Sequence, residues 1–181
     1  MDKKRKILLF VDVLVVLLLV GLDQATKYLA VIKLKGRDAF PVIPQVLEFK
    51  YLENRGAAFG MLQNQKVFFI CMEVLILLIV CYILTKCPAH NKYRLGRICM
   101  IGIAAGDVGN MIDRVMQDFV VDFIYFIHIN FPIFNVADIY VTLSTIGLVI
   151  LLLFVYKEQD LSFLSFQQKK LRDVDGSNGR S

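Results

Sequence analysis

The sequence predicts a membrane all-α protein, a four-transmembrane-helix bundle with a small extracytoplasmic β-rich segment between helices 1 and 2. Three observations predict it. Hydrophobic residues make up 57% of the 181-residue chain and charged residues only 20%, whereas soluble domains carry roughly 45–50% apolar residues. Four apolar runs are long enough to cross a bilayer. The basic residues behind the net charge of +5 flank those runs, where anionic lipid headgroups lie, instead of forming the stripe that nucleic acid calls for.

The first span begins at Ile7, behind Lys3, Lys4, Arg5 and Lys6. A helix from Ile7 to about Ala30 is about 36 Å long, enough for a hydrocarbon core of about 30 Å. A basic start and an apolar centre also describe a cleaved signal peptide. Against that, the run is long, no A-x-A-like site follows, and polar residues come next instead. Residues 33–65 hold Pro41, Pro44 and several glycines, and QVLEFKYLEN alternates loosely, which favours one or two short strands. The second span runs from Val67 to Leu84, and TKCPAHNKYRLGR then makes a short basic loop. The third span runs from about Ile98 to Val115, and the Phe- and Ile-rich residues 116–134 suit the membrane interface. The fourth span runs from about Asn135 to Tyr156. Residues 1–156 therefore read as one membrane domain and 157–181 as a polar tail, with LSFLSF loosely structured and DGSNGRS disordered. Cys71, Cys81, Cys87 and Cys99 make no CxxC pair and read as small apolar filler.

Four spans put both termini on the same side as the loop between spans two and three. That side carries 13 of the 21 basic residues, which makes it the cytoplasmic side by the positive-inside rule.

Polar groups inside spans are expensive and mark function by default. Here they gather at the outer ends of three spans. Asp23 and Lys27 share a helix face at i,i+4, as do Asn110, Asp113 and Arg114 by their spacing, and Asn135 and Asp138 at i,i+3. For Asp23, Lys27, Asn110, Asp113 and Arg114, a polar knot that glues helices together explains the pattern as well as a catalytic role does. Asp122 and Asp138 differ. Neither has a basic neighbour at helical spacing, and both sit among Val, Phe, Ile and Ala, a setting that raises a carboxyl pKa. Brought together, two such carboxyls hold one proton between them, giving a general base for water and a general acid for a leaving nitrogen. His90 and His128 fall on opposite sides of the membrane and cannot share a site. There is no HExxH metal spacing and no GxxxxGK phosphate loop. Two other classes stay open on these residues. A small proton-coupled transporter also uses intramembrane carboxylates, although it needs them at mid-depth, where only Asp107 and Asp12 stand. A scaffold could use the polar knot as glue.

The phrases DQATK (Asp23–Lys27), NRGAAFG (Asn54–Gly60), GNMIDR (Gly109–Arg114), VVDF (Val120–Phe123) and FNVAD (Phe134–Asp138) occur in this order along the chain. In them the sequence resembles bacterial lipoprotein signal peptidase, or signal peptidase II, along most of residues 7–156. The resemblance implies an aspartic endopeptidase of the bacterial cytoplasmic membrane that needs no cofactor or metal. It works as a monomer among membrane lipids, near the extracytoplasmic face. Its substrates are prolipoproteins whose lipobox cysteine already carries diacylglyceryl, and it cuts just before that cysteine. The resemblance places the catalytic dyad on Asp122 and Asp138. It makes Asn54, Gly56, Asn110, Arg114 and Asn135 binding or positioning residues, and Asp23, Lys27 and Asp113 their support. The glycine and alanines of NRGAAFG are expected to line or cover the cleft, although a plain turn between strands explains them too. One departure stands out: the family has a small residue where this chain has Asp107. Either Asp107 hydrogen-bonds a neighbouring helix or it perturbs the dyad or touches substrate. Asp12 can face the bundle or reach the inner headgroups.

Overall fold

A computed structural model describes residues 3–56 and 62–164. Four helices in it are long and apolar enough to cross a membrane. They are α1 (Lys3–Leu34), α2 (Lys66–Lys86), α3 (Arg94–Gln117) and α4 (Val136–Ile150), with α4 continued by a π turn over Leu151–Val155. The helix ends follow local chemistry. Past α1, Gly36 takes φ +72°, a left-handed conformation that costs glycine little, and the Arg37 N–H bonds the Leu34 carbonyl at 3.1 Å. At the end of α3, Asp118 takes φ 66° and its N–H bonds the Arg114 carbonyl, a conformation that Asp tolerates better than most residues.

Three antiparallel strands, β1 (Phe40–Ile43), β2 (Leu47–Asn54) and β3 (Val120–Phe126), form one sheet in the order β1-β2-β3. The sheet is therefore not confined to the segment between the first two long helices. Residues 116–134, expected at the interface without a strand, supply its third member. The reason is burial: Val120, Val121, Asp122 and Phe123 are all buried, so the strand lacks the two-residue alternation of a half-buried one. Val121 and Phe123 pack with Ala30, Val31 and Leu34, which seats the sheet on the end of α1.

α3 lies at the centre and packs against α1, α2 and α4. Small residues let it come close. A Cβ on Gly106 would lie 2.5 Å from the Ala137 carbonyl, and one on Gly109 would lie 2.6 Å from Asp23 Oδ2. Without a hydrophobic drive between helices in lipid, such close backbone approach is a main source of association. Near the other end of the bundle, Asp12 faces inward and pairs with buried Arg97. The tail begins with an ordered stretch. Glu158–Leu164 forms 3₁₀ turns, Asp160 pairs with Lys92 at 2.6 Å, and Phe163 meets Tyr93 edge-on. Leu161 to Leu164 of LSFLSF are thus more ordered than the sequence suggests, while its last two residues and DGSNGRS lie outside the described residues.

Candidate active site

Sheet pairing and one helix cap bring the two selected aspartates together. In the β2–β3 register Asn54 stands opposite Val120 and Leu52 opposite Asp122. Asn54 and Asp122 are therefore diagonal neighbours on one face, within side-chain reach. After β3 the chain turns back on itself, and Phe134 exchanges hydrogen bonds with Ile124 at 2.8 and 3.0 Å. That contact delivers the next residue, Asn135, to the side of Asp122.

Asn135 starts α4 as the N-cap of a capping box. Its side chain accepts from the Asp138 N–H at 3.0 Å, and Asp138 Oδ2 accepts from the Asn135 N–H at 3.1 Å. The same side chain donates through Nδ2 to Asp122 Oδ1 at 2.7 Å. Fully buried Asn135 thus touches both aspartates at once. Each aspartate has a second amide donor, Asn54 to Asp122 at 2.8 Å and Asn110 to Asp138 at 2.9 Å. Gly56 holds Asn54 in turn, its N–H bonding Asn54 Oδ1 at 3.0 Å. Ala57, Ala58, Phe59 and Gly60, expected at the cleft, lie outside the described residues.

Neither Asp122 nor Asp138 has an ion-pair partner among the described residues. Burial pushes the Asp122 carboxyl up to about 7, and the charge of Asp138 adds to the rise, while the Asn54 and Asn135 amides oppose it. Both aspartates line one cavity of about 470 Å³, together with Asn54, Gly56, Asn110 and Arg114. The rest of its wall is mostly apolar: Val120, Phe131, Pro132, Ile133, Phe134, Ile139, Thr142 and Leu143. Volume and lining suit a ligand with a large apolar part and few polar groups. Two carboxyls with a common donor and no cation can divide the acid and base work of hydrolysis.

The remaining selected residues form a buried layer beneath the pair. Lys27 bridges Asp23 at 2.9 Å and Asp113 at 3.2 Å, and its Nζ also donates to Asn110 Oδ1 at 2.9 Å. Asp23 accepts from the Ala137 N–H at 2.9 Å at the start of α4, and Asp113 from the Val121 N–H at 3.0 Å in β3. This layer therefore sets the height of both elements that carry the aspartates. The residues that sequence alone reads as polar glue or as site support form one hydrogen-bonded network.

Arg114 lines the cavity, but its guanidinium pairs with Glu73 of α2 and stacks over the Phe69 ring at 4.8 Å rather than meeting the aspartates. Sequence reasoning missed Glu73, although a lone carboxylate inside an apolar span is a signal in itself. It also missed Gln24, next to Asp23, whose Nε2 reaches Asp113 Oδ1 at 3.1 Å and the Gly109 carbonyl at 3.0 Å. Asp107 makes no hydrogen bond to a neighbouring helix among the described residues. It is buried, its Oδ2 has no partner, and Glu73 and Arg114 are the charges it feels.

Comparison with known proteins places this arrangement. Residues 15–154 match the family described as Signal peptidase (SPase) II. A lipoprotein signal peptidase of Streptococcus pyogenes serotype M1 is 38% identical over 148 residues, 82% of this chain and 94% of that protein. One of Streptococcus thermophilus (strain CNRZ 1066) is 39% identical over 145 residues, 80% of this chain and 92% of that protein. A bacterial membrane enzyme solved at 2.3 Å by the in meso method superposes with TM-score 0.72 at 35% identity, over 82% of this chain and 92% of that one. The family match takes in α2, α3 and α4, most of α1 and every site residue from Asp23 to Asp138, so the chain belongs to the signal peptidase II family.

Proposed function

We propose that the chain is an aspartic endopeptidase that removes signal peptides from diacylglyceryl-modified prolipoproteins, cutting before the lipidated cysteine with a water held between Asp122 and Asp138. One observation carries this reading: two carboxyls, buried Asp122 and half-buried Asp138, 16 positions apart, share the Asn135 donor on one cavity and have no ion-pair partner among the described residues. One aspartate, anionic, takes a proton from water, and the resulting hydroxide adds to the scissile carbonyl. The other gives its proton to the departing amine, so the dyad again holds one proton when the C–N bond has broken. The elevated pKa of Asp122 suits the pair to hold one proton at neutral pH. Asn54, Asn110 and Asn135 orient the carboxyls, Gly56 fixes Asn54, and Arg114 stands at the wall to position substrate. Asp23, Lys27 and Asp113 hold the layer below.

Residues 1–156 act as one membrane domain of the bacterial cytoplasmic membrane, and residues 157–181 are its cytoplasmic tail. Both termini are cytoplasmic by the distribution of basic residues, which puts the aspartates near the extracytoplasmic face. A lipidated precursor then reaches them laterally, its acyl chains against the apolar cavity wall, without leaving the bilayer. No cofactor enters this scheme, and a single copy suffices for it. The test is cleavage of a lipidated precursor in membranes by D122N and D138N. Both variants are expected to lose at least a thousandfold in rate, and an unlipidated precursor to be a poor substrate of the unaltered chain. Near-normal turnover by either variant removes the dyad from the mechanism.

A further inference from the structure

A second cavity, of about 590 Å³, opens between α1, α3 and α4. It lies at the other end of the bundle. Lys4 at its mouth and Asp23 of the buried layer are 19 positions apart on α1, or about 29 Å of helix. Along the helices its wall is hydrocarbon, with Leu8, Val11 and Val15 on α1 and Ile98 and Ile101 on α3.

The mouth is cationic. Lys4 and Arg94 line it, both exposed, and neither has an ion-pair partner among the described residues. Arg97 lies deeper, 5% exposed. Asp12, the one carboxylate of the cavity, is already engaged by Arg97. Arg97 also donates to the Leu84 carbonyl at 3.3 Å, yet its buried Nε has no acceptor. His90 at the rim accepts the Lys92 N–H on Nδ1, which leaves Nε2–H as a donor. Positive charge therefore exceeds negative charge at the mouth by the two free cations, and the donors outnumber the acceptors.

We propose that this cavity is a binding site for one anionic phospholipid, its phosphate held by Lys4 and Arg94 and one acyl chain laid along α1 and α3. Basic pockets between transmembrane helices favour such headgroups, each Lys or Arg near the surface contributing about 1 kcal/mol. The competing occupants fit less well. A free phosphate leaves the apolar wall uncovered. A zwitterionic lipid adds an ammonium to a mouth already in positive excess. The basic leading end of a signal peptide meets like charge. The site is separate from the aspartates, so its failure and theirs are distinguishable.

The experiment is native mass spectrometry of the purified full-length chain equilibrated with equal amounts of phosphatidylglycerol and phosphatidylcholine of matched acyl chains. The unaltered chain is expected to retain one phosphatidylglycerol in preference. In K4Q/R94Q that preference is expected to fall about tenfold or more, while K86Q/K157Q, with the same charge change at the same end, keeps it. Glycerol phosphate should not compete. Cleavage of lipidated precursor in phosphatidylcholine membranes should be unchanged in K4Q/R94Q. Four outcomes would overturn the proposal: equal retention of both lipids, equal loss in both double variants, displacement by glycerol phosphate, or photocrosslinking from Val11 to signal peptide or to a second copy instead of lipid.

Discussion

Serine in place of Asn135 takes away an amide that serves the aspartates while keeping the helix start made by the same side chain. Asn135 Nδ2 donates to Asp122 Oδ1 at 2.7 Å and to Asn110 Oδ1 at 3.2 Å, and Oδ1 accepts the Asp138 N–H at 3.0 Å. Serine is a good N-cap and preserves the third contact, but it cannot supply the first two. A hydrogen bond to a charged group contributes about 1.5–3 kcal/mol, and this one favours ionised Asp122 over the protonated form. Losing it moves the Asp122 pKa upward by about one to two units, from a starting point already raised to about 7. The single-proton state of the dyad then survives to higher pH, so the alkaline limb of the kcat/KM profile shifts upward in N135S while its plateau falls. N135A loses the cap as well and should be less stable than N135S by about 1 kcal/mol. The assay is cleavage of a lipidated fluorogenic peptide across the neutral and alkaline range, with melting temperatures of both variants in the same detergent. An alkaline limb that stays put in N135S, or equal melting-temperature losses in the two variants, refutes the reasoning.

Three further substitutions test the frame of the site. G109A places a Cβ 2.6 Å from Asp23 Oδ2 and 3.4 Å from the Ala137 Cβ; overpacking of this kind costs about 1–3 kcal/mol, and a melting temperature equal to that of the unaltered chain would contradict it. K27M strands Asp23 and Asp113, 0% and 4% exposed in their side chains; a loss of about 3–5 kcal/mol is expected, and cleavage should fall with it, whereas full activity in membranes would show that the layer is dispensable. D107A removes a buried carboxyl whose Oδ2 has no partner; it should raise stability by about 1–3 kcal/mol with little change in cleavage, and a lowered melting temperature would mean that Asp107 makes a contact that counts.

The spans were legible because a lipid-facing helix needs a long apolar run: the first three runs became helices that extend one to four residues beyond the expected ends, while the fourth, Val136–Val155 with its π turn, stops one residue short at each end. Asn135 and Asp138 were legible as a pair at i,i+3, and the capping box uses that spacing. β3 was not, because a strand buried on both faces shows no alternation, and VVDFIYF reads equally as an interfacial run. Sequence analysis marked Asp122 as an apolar-flanked acid without a basic neighbour at helical spacing, and among the described residues it has amide donors but no ion-pair partner. That its neighbour is Asn135 depends on the return of the chain at Phe134, a contact between backbones that no side-chain pattern encodes. The ion pairs Glu73–Arg114 and Asp12–Arg97 escaped notice for a related reason. Each joins residues on different helices, 41 and 85 positions apart, and only packing decides which charges meet.

The three-stranded sheet draws on both connections, before α2 and after α3, and its last strand hands the chain to α4. A chain cut short just after β3 carries Asn54 and Asp122 but lacks Asn135 and Asp138. Under the proposed mechanism the two carboxyls meet only once α4 is in place, so such a truncated product is inert toward the membrane proteins around it.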